Sequence, residues 1–149
     1  MTVYTDGASR GNPGPGGYGI VMMSGSYMKE FSAGFKLTTN NRMELLAVIT
    51  ALENLKHENC NVTIYTDSRY VVDSVNKGWL SSWVLKDFKG KKNPDLWIRF
   101  LKTYKKHKIK FIWIKGHSEN KYNERCDELA VKASKEPVLL DDVGYEAGI

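Results

Sequence analysis

Two short apolar runs end in the same way, TVYTD at residues 2–6 and TIYTD at 63–67. Each has the β-branched and aromatic content of a strand and closes on an aspartate. Between them, from Asn41, the period becomes helical, with Leu45, Val48, Leu52 and Leu55 on one stripe. A strand, a helix and a second strand of like pattern make a parallel pair in an α/β sheet. Such sheets bind ligands beyond the carboxyl ends of their strands, so the echo predicts that Asp6 and Asp67 share one rim.

The rest of the chain fits around that unit. Asp6-Gly7 reads as a turn, GNPGPGG at 11–17 as a tight glycine loop, and 18–23 with 27–37 as a hairpin. The loop lacks both GK[ST] and a GxGxxG that opens a helix, so neither familiar nucleotide cradle is present. Thr39, Asn40 and Asn41 are the available caps for the first helix, which places Glu44 in its first turn. A short helix over 68–76 stops at Gly78, and Asn93-Pro94 opens another with Asn as the cap. Residues 109–115 read as a strand and 118–123 as a loop, and a helix from Glu124 carries Asp127. From Pro137 the period fades, and a mobile extension is expected. One domain and an unprocessed chain are expected from the 149 residues, and no apolar run reaches membrane length.

Charge narrows the chemistry. Asp6, Glu44, Asp67 and Asp127 come from strand ends and helices that one small domain can gather, and clustered carboxylates do not all stay ionised without a cation. An all-oxygen donor set selects hard ions, Mg²⁺ or Mn²⁺, over zinc. Two such ions can activate a water and stabilise a leaving oxygen, which suits phosphodiester hydrolysis without a covalent nucleophile. His117, beside this cluster in sequence order, is placed to accept or relay a proton. His57 and His107 read as surface residues, and Cys60 and Cys126 as reduced thiols. The net charge of +5 is concentrated: residues 77–115 hold twelve Lys and Arg against two acids, interleaved with Trp79, Trp83, Phe88 and Trp97. That mixture suits a polyanion with stackable surfaces, and nucleic acid is the leading partner.

At this level of detail a resemblance emerges. The runs YTDGASRGNPGPGGYG (4–19), FSAGFKLTTNNRMELLA (31–47), TDSRYV (66–71), NPDLW (93–97) and KGHSENKYNERCDELA (115–130) resemble ribonuclease H of type 1, the bacterial ribonuclease HI group, over essentially 1–136. The resemblance implies an α/β ribonuclease H-like three-layer fold, a mixed five-stranded sheet flanked by helices. It implies endonucleolytic hydrolysis of the RNA strand of RNA–DNA hybrids, with 5′-phosphate and 3′-hydroxyl ends and little sequence preference. By match to the family motifs, Asp6, Glu44, Asp67 and Asp127 hold two Mg²⁺ ions, and His117 assists water positioning or product release. Asn12, Thr39, Asn40 and Asn41 match hybrid-binding positions, and the stretch 77–92 matches a substrate-binding protrusion that includes Trp79, Trp83, Lys89, Lys91 and Lys92.

Two departures stand out. Arg69 follows the TDS motif where Gln is common, and Val84, Leu85 and Asp87 dilute the basic run. A cytoplasmic monomer without an obligate protein partner is expected. A DNA-cutting integrase-like enzyme, a hybrid-binding module without catalysis, and a domain of a reverse transcriptase are the competing readings. The complete carboxylate set, the His117 loop and the protrusion weigh against them.

Overall fold

The computed structural model describes residues 1–116 and 120–148. Strands β1 (Thr2–Ser9), β2 (Gly14–Ser24) and β3 (Tyr27–Thr38) form an antiparallel meander, and helix α1 (Asn40–Glu53) then crosses to β4 (Asn61–Thr66). Helices α2 (Arg69–Asn76), α3 (Trp79–Leu85) and α4 (Pro94–Tyr104) lead to β5 (Lys108–Trp113), and α5 (Lys121–Ser134) and α6 (Val143–Glu146) complete the order. The five-stranded sheet runs β3-β2-β1-β4-β5, with β4 parallel to both of its neighbours. The chain leaves β1 toward one edge and later returns to its other side. The gap beyond the carboxyl ends of β1 and β4 is therefore the topological switch point, where such sheets take their ligands.

Strand β1 runs on past Asp6 to Ser9, because its two partners end at different places. Pairing with β2 continues to Ser9↔Gly16, whereas pairing with β4 stops at Thr5↔Thr66. Asp6 is the first residue beyond the parallel ladder while still held by the antiparallel one, so the turn expected at Asp6-Gly7 is not there. The glycine loop is also shorter than expected, since Gly14–Gly17 belong to β2. Those glycines serve a close approach: a Cβ on Gly17 would meet the Ala130 carbonyl oxygen at 2.5 Å, and one on Gly19 would meet the Leu129 Cβ at 2.8 Å. Helix α5 thus lies directly on the sheet.

On the opposite face, α1 packs between the sheet and α4. Met43, Leu45, Ala47, Val48, Ile49, Ala51 and Leu52 are all buried, which is wider than the single stripe its sequence displays, because both sides of the helix are covered. Trp97, Phe100 and Phe111 continue this core toward β5. Among the described residues no helix is long and apolar enough to cross a membrane.

The segment after Pro137 departs from the expected mobile extension. Leu140 donates its N–H to the Gly34 oxygen and accepts from the Lys36 nitrogen, both at 2.9 Å, which covers part of edge strand β3. Asp142 then accepts from Thr38 Oγ1 at 2.7 Å and from Arg42 Nε at 2.8 Å. Arg42 is almost wholly buried and also grips Asp95 through two hydrogen bonds of 2.9 and 2.7 Å. Asn93 holds the N-cap position of α4, as expected, but makes no capping bond; its side-chain oxygen accepts from Arg42 Nη1 at 3.2 Å instead. One guanidinium therefore ties together α1, the start of α4 and the C-terminal segment.

Candidate metal centre and nucleic-acid interface

The carboxylates converge through three separate devices. Asp6 is fixed by the strand pairing around it, and its Oδ1 accepts from the Gly7 N–H at 2.9 Å. Asp67 follows the last residue of β4, where Ser68 turns the chain into α2 by capping the Val71 N–H. Glu44 comes from α1, whose N-cap is Thr39, its side chain accepting from Arg42 N at 3.2 Å. Counted from that cap, Glu44 stands in the second helical turn rather than the first. A helix-supporting role for it is correspondingly weak.

Each of Asp6, Glu44 and Asp67 offers an oxygen within 4.8 Å of the others. Asp127, half-buried on α5, lines the same cleft of about 650 Å³. Its helix begins at Lys121, not at Glu124, because Asn120 accepts from the N–H groups of Tyr122 and Asn123 at 3.0 Å each. His117 lies outside the described residues.

The electrostatics agree with the geometry. Burial, followed by the charges of Asp67 and Asp127, pushes the Asp6 carboxyl up to about 7 against the opposing hydrogen bonds from Glu44 and Gly7. Burial and then the charges of Asp6 and Asp67 hold Glu44 well above the usual carboxylate range. Glu44 Oε2 is also buried without a hydrogen-bond partner among the described residues. A sealed, unpartnered carboxylate oxygen carries a desolvation cost that ordinary folding has no reason to keep. A hard divalent cation between the three carboxylates removes both the cost and the repulsion, so the donor set fits Mg²⁺ or Mn²⁺.

The other candidate residues fall into two groups. Asn40, Asn41 and Arg69 line the cleft with the carboxylates. Asn12 accepts from the Asn40 N–H at 3.1 Å, and the Asn40 side chain accepts from Ser9 N at 2.7 Å, so the loop before β2 and the start of α1 form one polar rim. Trp79, Trp83, Lys89, Lys91 and Lys92 lie away from that cleft, on α3 and the turn after it. Trp79 is exposed, with Lys77 Nζ 5.4 Å from its ring centre. Trp83 is half-buried and sets its ring edge-on to Trp97 at 5.8 Å, with Lys91 Nζ 5.5 Å from its ring centre. Both tryptophans therefore carry a lysine, and Trp83 also belongs to the core.

Residues that sequence reasoning passed over include Arg42, Ser68 and Trp113. Trp113 was legible only as a strand residue, because nothing in IKFIWIK marks an indole that hydrogen-bonds to Asp67 O at 3.0 Å.

Comparison with known proteins bears on the family and the fold. The family model for RNase H matches residues 1–135. A "Ribonuclease H" of Desulforamulus reducens is 56% identical over 148 residues, which covers 96% of this chain and 92% of the relative. A "Ribonuclease HI" of Synechocystis sp. is 48% identical over 151 residues, covering 97% and 94%. Among solved structures, LC9-RNase H1, described as a type 1 RNase H with the type 2 active-site motif, superposes with a TM-score of 0.81 at 31% identity, covering 99% of this chain and 79% of that one. LC11-RNase H1 in complex with an RNA/DNA hybrid gives a TM-score of 0.68 at 30% identity, covering 89% and 94%.

Proposed function

The chain belongs to the RNase H family, and from that premise we propose that it hydrolyses the RNA strand of RNA–DNA hybrids endonucleolytically, leaving 5′-phosphate and 3′-hydroxyl ends. The observation that carries this reading is the carboxylate cluster at the switch point of the sheet, with its sealed Glu44 oxygen that has no hydrogen-bond partner among the described residues. Asp6, Glu44, Asp67 and Asp127 would hold two Mg²⁺ ions, with Mn²⁺ able to substitute, and bound metal would supply an activated water and charge stabilisation at the leaving oxygen. His117 would assist water positioning or product release.

The protein's own groups do the rest. Asn12, Thr39, Asn40 and Asn41 form or border the polar rim and are positioned to bind sugar and phosphate of the hybrid. Arg69 adds a cation inside the cleft, and Trp79, Trp83, Lys89, Lys91 and Lys92 extend the interface along the duplex. Backbone contacts of this kind position a substrate without reading its bases, which accounts for low sequence preference. We further infer a monomer without an obligate partner, serving DNA replication in the cytoplasm. The free thiols of Cys60 and Cys126 accord with a reducing compartment.

The test is cleavage, with Mg²⁺, of four substrates of one sequence: hybrid, single-stranded RNA, duplex RNA and duplex DNA. Cutting confined to the RNA of the hybrid supports the reading. Equal cutting of all four, or of none, overturns it.

A further inference from the structure

Trp113, the last residue of β5, makes two contacts that no core role demands. Its indole N–H donates to the Asp67 backbone oxygen at 3.0 Å, and the Arg69 guanidinium carbon stands 3.8 Å from its ring centre. Strand register produces both. Trp113 is the pairing partner of Thr66, and the Ile114 N–H donates to the Thr66 oxygen at 2.9 Å, so β5 ends beside the point where β4 gives way to Asp67. The backbone after β5 then comes so close that a Cβ on Gly116 would sit 2.8 Å from Asp67 Oδ2. Asp67 is thus positioned from its main chain by the indole and from its side chain by Gly116.

Arg69 is in an unusual place for a cation. It opens α2, at the positive end of the helix dipole, and it lines the cleft beside the carboxylates. An unrestrained arginine there is drawn onto the nearest carboxylate, since opposite charges a few ångströms apart attract strongly in a partly buried cleft. Among the ion pairs of the described residues, however, none involves Arg69, and its guanidinium carbon stands at stacking distance, 3.8 Å, from the Trp113 ring centre. Stacking uses the face of a guanidinium and leaves its N–H edge for two-pronged hydrogen bonding, the geometry that phosphate oxygens accept.

We propose that Trp113 is a positioning residue for the cleavage reaction: one side chain holds the Arg69 guanidinium off the carboxylate cluster and toward a phosphate of the bound hybrid, and anchors the Asp67 backbone. This rests on reading the cleft as a nuclease site. The metal-holding carboxylate and the phosphate-binding cation are then coupled through a single indole.

Parent, Trp113→Phe, Trp113→Leu, Arg69→Gln and the Leu/Gln double variant are compared by Mg²⁺ calorimetry without nucleic acid, by binding of a fluorescein-labelled RNA–DNA hybrid in EDTA, and by steady-state cleavage. Phe keeps a stacking face and lacks the donor, so Mg²⁺ affinity falls about tenfold, as for other groups that orient a ligand, while hybrid affinity stays within about twofold. Trp113→Leu and Arg69→Gln each weaken hybrid binding about fivefold and raise KM more than they lower kcat. The double variant is no worse than either, because a residue acting through another is not additive with it. Additive losses, or parental Mg²⁺ affinity in Trp113→Phe, overturn the proposal. If Trp113→Leu fails to fold, Trp113→Phe decides alone, its circular dichroism being that of the parent. A parent that does not cut the hybrid, with these couplings intact, overturns the nuclease reading and the role in cleavage with it, and supports only the coupling of Asp67 and Arg69 through Trp113.

Discussion

Helix α1 lies directly against Gly7 of β1 at Met43 and Glu44: a Cβ on Gly7 would collide with the Glu44 nitrogen and would stand 2.5 Å from the carbonyl carbon of Met43. The absence of a side chain at one position is what lets Glu44 reach Asp6. Gly7→Ala must push the helix away from the strand. The expected cost is about 2–4 kcal/mol, or a melting temperature lower by roughly 5–12 °C, with weaker Mg²⁺ binding. Thermal melting with and without Mg²⁺ checks it, and a parental melt would show that α1 has room to spare.

The raised carboxyl of Asp6 sets a pH dependence for the metal-free protein. Its folded pKa of about 7 lies above the ordinary 3.8, so the protonated form is the one folding favours. Stability from this group is fully present below about pH 4 and is lost as pH rises through 7, by at most about 4 kcal/mol. Without metal the melting temperature should therefore fall between pH 5 and 8, and Mg²⁺ should restore it. Asp6→Asn removes the charge and flattens the profile, melting about 3–6 °C above the parent at pH 8 in EDTA. A large loss of stability in that variant would make Asp6 a structural residue.

Arg42 and Asp142 give the opposite sign. Burial works against the Asp142 charge, but the Arg42 and Thr38 hydrogen bonds outweigh it and hold the carboxyl below its usual range. This contribution is present above the ordinary carboxylate pKa and lost as pH falls through the lowered one. Asp142→Ala leaves a buried guanidinium short of one partner and should cost about 3–5 kcal/mol, measurable by urea unfolding near neutral pH. A change under about 0.5 kcal/mol, the level of an ordinary surface substitution, would mean that the C-terminal segment is not docked in solution.

The basic turn after α3 makes a prediction about salt. Replacing Lys89, Lys91 and Lys92 by Gln should raise KM and reduce the slope of log affinity against log salt by up to about 3, one unit for each phosphate no longer neutralised. An unaltered slope would remove this turn from the interface.

The parallel pair and the partnership of Asp6 with Asp67 were legible because strand pattern and a terminal aspartate are local signals. The five-stranded sheet followed from the motif resemblance. What escaped was set by contact between distant segments. Gly7 looked like a turn signal because a glycine needed for close approach is indistinguishable in sequence from one needed for a bend. The tail from Pro137 looked mobile because its partners, Thr38 and Arg42, lie about a hundred residues earlier, at separations of 104 and 100. Glu44 was placed by sequence only in the first turn of its helix, and the sealed Oε2 that makes it the most telling carboxylate has no local signal.

The central claim is that this cluster gathers metal to cut RNA paired with DNA. Its most direct measurement is single-turnover cleavage of a labelled hybrid in Mg²⁺ by the parent, Asp6→Asn and Glu44→Gln, at concentrations that saturate binding. The account predicts RNA cuts bearing 3′-hydroxyl ends, an intact DNA strand, and losses of about a thousandfold or more in both variants while each still binds the hybrid in EDTA. Cleavage by either variant at the parental rate would contradict it.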